Sequence, residues 1–303
     1  MLISKGKKTT YSAFGLIISS EIVIDAFQPC EGIPDVNILV DQLQPHLREG
    51  ICPKVKHLIS SSEFMFQKNG VRYLIQDGKR IVIELPARYS SAMVQAYITG
   101  ACMATILLQR SILPMHGSAV VIGGRAAIFT GHSGAGKSSL CHAFRKNQYE
   151  YLSDDITVVS VNEEGHTMIQ PSFPQQRLCR NTARKLGYDL KDPSLGYVDG
   201  KVIINSDHLF WNQPAPLAAV FEISKHRGRR VEVTPVTGTE KLKRLINNIN
   251  YSDIFKGMGV TQDFFLKCTE IANKISWFEL RRPYKGDTTQ AQMQCVLDIM
   301  GEA

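Results

Sequence analysis

The chain has 303 residues, 44% apolar and 21% charged, which is the make-up of a soluble globular protein with room for one large or two modest domains. A net charge of +7 suits an enzyme that handles phosphates, an acidic partner or weak nucleic-acid contact. The seven cysteines are odd in number, widely spaced and without a C-x-x-C pair, which argues against a zinc or redox motif and for reduced thiols in a cytoplasmic protein.

At the start, lysines precede the apolar stretch Ala13–Ile18, but it is too short for a secretory core and Glu21 and Asp25 follow at once. Residues 1–88 read as a small strand-rich domain. Tyr11–Val23 is largely apolar and β-branched. Asn69-Gly70 separates Glu63–Gln67 from Val71–Gln76, and Asp77-Gly78 precedes Arg80–Leu85, so a three-strand meander is expected. A helix over 91–110 is read as a bridge (89–112). Its segment Ala92 to Leu108 is of barely membrane length and carries Gln95, Gly100 and Thr105, so a buried core helix is expected rather than a membrane span.

The remainder, 113–303, reads as a phosphate-loop domain. Ser118–Ile122 and Arg125–Phe129 flank Gly123-Gly124 as a hairpin whose second strand runs into Gly131-His132-Ser133-Gly134-Ala135-Gly136-Lys137-Ser138-Ser139. That string fits G-x-x-x-x-G-K-[ST] between a strand and a helix. The glycines let successive N–H groups turn inward on an anion, and the helix from Lys137 to about Lys146 adds its free N-terminal donors. Lys137 is placed to reach the β- and γ-phosphates, and the Ser138 hydroxyl to ligate Mg²⁺. The chain is therefore expected to bind a nucleoside triphosphate with Mg²⁺.

Downstream, Tyr151–Ser153 gives a strand edge, Asp154-Asp155 a pair of acids, and Ile156–Ser160 another strand. Leu217–Ser224 is an apolar strand, and 239–248, 262–275 and 289–300 read as helices. Lys225–Arg230 is the one basic cluster, read as a solvated hairpin turn between two strands. No N-K-x-D element reads a guanine base, since Asn273-Lys274-Ile275-Ser276 lacks the acid, and no L-S-G-G-Q signature marks a transporter ATPase. A small kinase-like site remains. Phosphoryl transfer to a hydroxyl needs a metal-bridging group and a carboxylate at the acceptor oxygen. Adjacent strand residues face opposite ways, so Asp154 and Asp155 are expected to divide these roles. His116 could tune Asp155 or be merely structural. Arg177 could meet a phosphate or an acidic peptide end, or lie on the surface; Lys201 is a similar candidate. Glu222, near a strand's end, reads as an ordinary polar residue.

The order His116-Gly117, then Gly131–Ser139, then Asp154-Asp155 resembles the catalytic domain of HPr kinase/phosphorylase, a phosphate-loop fold akin to phosphoenolpyruvate carboxykinase that phosphorylates a serine of a small protein. The resemblance covers roughly 112–160. It implies an α/β fold with a mixed β-sheet in this half, behind an α+β amino-terminal part. It implies that Lys137 and Ser138 serve ATP and Mg²⁺, that Asp155 is the acceptor-side base, that Asp154 supports the metal and that His116 supports the base. Where the bifunctional family carries L-E-I-R-G-L-G-I, this chain has Gln170–Leu178, which speaks against phosphate removal. The opening Phe14-Gly15-Leu16-Ile-Ile-Ser-Ser20-Glu21 is similar to that of kinases found beside lasso-peptide biosynthesis enzymes, which modify the C-terminal serine of the precursor. The resemblance thus implies a peptide or small-protein partner bearing an acceptor serine. An HPr-like carrier and a non-catalytic ATP-sensing protein are the alternatives. No nucleic-acid or membrane partner is expected, and a homo-oligomer is compatible with the sequence.

Overall fold

Turn chemistry sets the strand register of the amino-terminal unit in the computed structural model, which describes residues 8–50, 57–192, 195–198, 200–205 and 207–302. Lys5, Lys7, Cys52 and Asp199 lie outside the described residues. Asn69 and Gly70 both take positive φ (50° and 80°), the geometry a two-residue hairpin loop requires. The strands here are β1 (Thr9–Ala13), β2 (Leu16–Ser20), β3 (Gln28–Pro29), β4 (Val36–Val40), β5 (His57–Ile59), β6 (Glu63–Lys68), β7 (Val71–Gln76) and β8 (Arg80–Glu84), with α1 (Pro45–Gly50) between β4 and β5. They form one mixed sheet in the order β3-β1-β2-β4-β8-β7-β6-β5, with β2–β4 and β4–β8 parallel. The expected meander is β6–β7–β8, pinned by the stacked cross-strand pair Phe66 and Tyr73, 4.7 Å between ring centroids. Leu74 and Val82 pack with Leu43 and Met65, while Ile75, Ile81 and Ile83 are also fully buried. Both faces of the inner strands are thus covered, so they read as continuous apolar runs rather than alternating ones.

A single helical rod follows: α2 (Ser91–Tyr97), a π-turn over Ile98–Cys102, and α3 (Met103–Gln109). Ser90 caps it by accepting from the Met93 N–H. By length and composition the rod could cross a membrane (mean hydropathy 1.5), yet 61% of its most apolar window is buried within the fold. Its inner polar groups are satisfied locally: the Thr99 and Thr105 hydroxyls donate to the Gln95 and Ala101 carbonyls at 2.9 and 2.8 Å.

The chain divides into two units, Met1–Ile112 with Tyr251–Phe264, and Leu113–Asn250 with Phe265–Ala303. This differs from the expected division in two respects. The helical rod belongs to the first unit instead of standing between domains, and the stretch 251–264 returns to that unit. Neither contact pattern leaves a local sequence signal, because both are made by residues far apart in the chain.

The second unit is built from β9 (Leu113–Ile122), β10 (Arg125–Thr130), α4 (Lys137–Lys146), β11 (Tyr151–Ser153), β12 (Ile156–Val161), β13 (Thr167–Gln170), β14 (Gln175–Cys179), α5 (Arg180–Lys185), β15 (Gly196–Val198), β16 (Lys201–Asn205), β17 (Ala215–His226), β18 (Glu232–Val236) and α6 (Thr239–Asn247). After α7 (Ser252–Met258), which lies in the first unit, come α8 (Gln262–Lys274), β19 (Ser276–Pro283) and α9 (Thr289–Met300). The main sheet runs β10-β9-β12-β13-β17-β19-β18, and β10 also pairs with β17 in parallel. Long β9 makes this branching possible: Leu113–His116 pair with β12, and Gly117–Ile122 with β10. Phe129 stacks on Phe144 and meets Phe221 at a tilt in the core, locking α4 onto β10 and β17. A separate three-stranded sheet, β14-β16-β15, packs with α5 around Leu178, Ala183, Val202 and Ile204. The basic segment Lys225–Arg230 is not the expected hairpin turn. β18 pairs with β19 and not with β17, so this segment carries the chain past β19.

Candidate active site

β10 ends at Thr130, and the chain must turn at once to pass β17. At Gly131 (φ 127°) any Cβ would lie 2.4 Å from the Ile223 carbonyl oxygen, so only glycine fits. Gly131→Ala is expected to destabilise the protein by about 2 kcal/mol and to lower its melting temperature by roughly 4–8 °C, read by calorimetry. Gly136 (φ 122°) opens α4, whose first-turn N–H groups have no intrahelical acceptor. Lys137 folds back over the loop. Its Nζ donates to the carbonyls of Gly131 (2.8 Å) and His132 (3.2 Å). Burial lowers its pKa, and Asp155 and Asp154 pull the other way.

The acids sit where β11 gives way to β12, in a bend and not on a strand. Asp155 takes a left-handed conformation (φ 77°), and this corrects the expectation that the two side chains face opposite ways: both line one cleft with Lys137. Asp and Asn tolerate that region better than most residues. The Asn250 side-chain amide donates to the Asp155 carbonyl at 2.7 Å and holds the bend.

Asp154 is buried, 4% exposed. One carboxylate oxygen accepts from the hydroxyls of Ser118 (2.5 Å) and Ser138 (3.1 Å), and the other from the Arg177 backbone N–H (3.0 Å). Burial raises its pKa, opposed by those hydrogen bonds. Among the described residues no lysine or arginine forms an ion pair with it, and no cluster of three His, Cys, Asp or Glu could hold a metal. A hard oxygen pair, one hydroxyl and one carboxylate, is nonetheless the donor set Mg²⁺ uses when phosphates complete its shell. Ser138 and Asp154 fit such an ion. Asp154→Asn is accordingly expected to raise at least tenfold the Mg²⁺ concentration that gives half-maximal activity.

Asp155 lies 3.6 Å from the Lys201 Nζ and 3.7 Å from the His116 Nδ1. Burial pushes its carboxyl up, but the charges of Lys201, His116, Arg177 and Lys137 outweigh that and hold it below the usual carboxylate range. The pKa of the His116 imidazole is lowered, first by burial and then by Lys137, while Asp155 pulls it the other way. Its backbone is fixed on both sides: its N–H donates to the Asn248 carbonyl (2.7 Å) and its carbonyl accepts from the Thr130 hydroxyl (2.8 Å).

Every residue singled out in the sequence is thus placed. His132 is exposed and Ala135 buried, and neither lines the cleft. Ser133, Gly134, Gly136, Lys137, Ser138 and Ser139 line the cleft, and so do His116, Asp154, Asp155, Arg177 and Lys201. The small sheet explains the last two, since β14 presents Arg177 and β16 begins at Lys201. Gln176 anchors that sheet to α4. It donates to the Ser138 carbonyl (3.0 Å) and accepts from Arg145. Sequence reasoning missed Ser118, Gln176 and Asn250, which belong to no motif. Only the H-G-S string after Met115 hints at Ser118. Glu222 is a structural acid, held by Arg244 (2.9 Å), Trp277 and Asn248.

No protein-family model matches the chain, and no curated protein matches it in sequence. Among solved structures it is similar to the Hpr(Ser) kinase/phosphatase from Coxiella burnetii, at 9% identity over 62% of this chain and 97% of that one, with a TM-score of 0.32.

Proposed function

We propose that this protein is an ATP- and Mg²⁺-dependent kinase that phosphorylates a serine hydroxyl of a peptide. The favoured acceptor is the C-terminal serine of a lasso-peptide precursor. One observation carries the phosphotransfer reading: a loop lysine, a hydroxyl–carboxylate pair and a second, separately held carboxylate converge on one cleft. The choice of peptide rests on the resemblance of the opening segment Phe14–Glu21.

In this reading the loop N–H groups and Lys137 hold the triphosphate. Ser138 and Asp154 would hold Mg²⁺, which would neutralise charge at the terminal phosphates. Asp155 is ionised throughout the working range, and orients the acceptor hydroxyl and accepts its proton as the phosphoryl group transfers. A carboxylate of lowered pKa is a weak base, which suffices because the loose transition state asks for proton removal only late. Lys201 holds Asp155 ionised. Removing it in Lys201→Met should let the Asp155 carboxyl rise, so activity at low pH is lost earlier and the acid limb of kcat/KM moves to higher pH.

The test is incubation with Mg-ATP and, separately, a precursor peptide ending in serine and an HPr-like carrier, with product masses recorded. Phosphorylated peptide supports the proposal. Phosphorylated carrier alone would move the acceptor assignment, and ATP binding without product on either would leave a nucleotide sensor.

A further inference from the structure

Strands β10, β17 and β19 run parallel, so their C-terminal ends lie together at the edge from which the phosphate loop springs. In open α/β sheets ligands bind at that edge. Asp154, Asp155 and His116 occupy one flank of it, on the side of β9 and β12. On the other flank β17 and β19 continue past the level of Thr130, through Ile223–His226 and Leu280–Pro283, and the Tyr284 N–H extends the pairing to the His226 carbonyl at 3.2 Å.

The side chains of that second flank are unusual in their partners. Arg281 points to Glu232, its Nη2 at 2.7 Å. Arg282, on the opposite face of the strand, has no carboxylate within 4.0 Å among the described residues. Its Nε donates to the Ala135 carbonyl of the phosphate loop (2.8 Å) and its Nη1 to the Pro283 carbonyl (3.3 Å), while Nη2 makes no hydrogen bond among the described residues. A Cβ on Gly136 would lie 3.5 Å from that Nε, so the guanidinium rests against the loop itself. A partly buried arginine facing only carbonyls has hydrogen bonds but no counter-charge, and burial lowers its pKa. Two residues on, Tyr284 is 64% exposed, with Lys225 and Lys285 also exposed. A guanidinium suits a phosphate oxyanion, and an exposed aromatic face suits a base.

The direction of the ligand follows from the first flank. A terminal phosphate served by Ser138, Asp154 and Asp155 lies toward β9 and β12, so the other end of the triphosphate leaves across the loop toward β17 and β19. We propose that the nucleoside end of the bound nucleotide lies over the C-terminal ends of these two strands, with Arg282 against the α-phosphate and Tyr284 as the stacking face for the base. This rests on the nucleotide reading above and adds a nucleoside subsite to it.

The test compares ATP with tripolyphosphate, which shares the phosphates and lacks the nucleoside. Affinities are measured by calorimetry for the wild type, Tyr284→Ala, Arg282→Met and Lys137→Ala, with melting temperatures as the control for folding. The ratio of ATP to tripolyphosphate affinity should fall roughly tenfold in Tyr284→Ala, and Arg282→Met should weaken ATP at least as much. Lys137→Ala should weaken both ligands together. Photolabelling with 8-azido-ATP, which needs no variant, should place the label on 282–286 or 225–230. A Tyr284→Ala ratio equal to the wild type's, or a label mapping elsewhere, would overturn the subsite. A wild type that binds neither ligand would instead overturn the nucleotide reading on which it rests.

Discussion

Asp155→Asn is expected to lower kcat by roughly 10²–10³-fold while ATP affinity and melting temperature stay near those of the wild type. The substitution is chosen because it changes charge and little else. Asparagine accepts the left-handed conformation at φ 77° as readily as aspartate does, and Asn250 still donates to the unchanged backbone carbonyl. What is lost is the negative charge facing Lys201 and His116 at 3.6 and 3.7 Å. In the proposed mechanism the acceptor hydroxyl would then have no anion to donate to, and the cations beside residue 155 would be left without their counter-charge. His116 should respond in a measurable way. Asp155 is what raises its imidazole against burial and Lys137, so its titration should move to still lower pH in the variant, as followed by NMR. An Asp155→Asn enzyme with wild-type turnover would remove the acceptor-side base from the mechanism, whatever its effect on His116.

What the sequence disclosed and what it withheld follow one physical division. Contacts within a few residues leave patterns. Asn69-Gly70 dictates its hairpin because both positions need positive φ, and the glycine–lysine string dictates its loop because no other backbone turns so sharply between β10 and α4. Contacts across the chain leave none. Asn250 reaches Asp155 over 95 positions, and β19 slips between β17 and β18 although Val236 and Ser276 are 40 positions apart. The Asp154-Asp155 pair shows the boundary between the two cases. Its place between strands was legible from local apolar runs. The bend that turns both carboxylates into one cleft was not, because it depends on the left-handed φ of Asp155 and on that distant amide. Arg177 and Lys201 were legible only as cations. Their meeting at the cleft depends on the pairing of β14 with β16, in which Cys179 lies opposite Lys201.

Lys137→Ala should reduce kcat/KM by about 10²–10³-fold, most of it through loss of nucleotide affinity, and this loss separates a working phosphate loop from a glycine turn of similar shape. Without nucleotide the ammonium is held by two loop carbonyls, Gly131 at 2.8 Å and His132 at 3.2 Å, neutral partners that a triphosphate oxygen can displace. Burial disfavours its charge, so the free protein carries a cost there that a bound triphosphate would offset. Truncation removes that cost together with the donor. The variant should therefore melt at or slightly above the wild-type temperature, since removing a poorly compensated buried charge is often neutral or stabilising. Lys137→Arg should fail to restore binding, because a planar fork cannot enter the space one ammonium fills between those two carbonyls. Raised stability with lost affinity would be the signature of a residue kept for its ligand. Lost stability with retained affinity would show that Lys137 only braces the loop, and the triphosphate would have to be held by some other group.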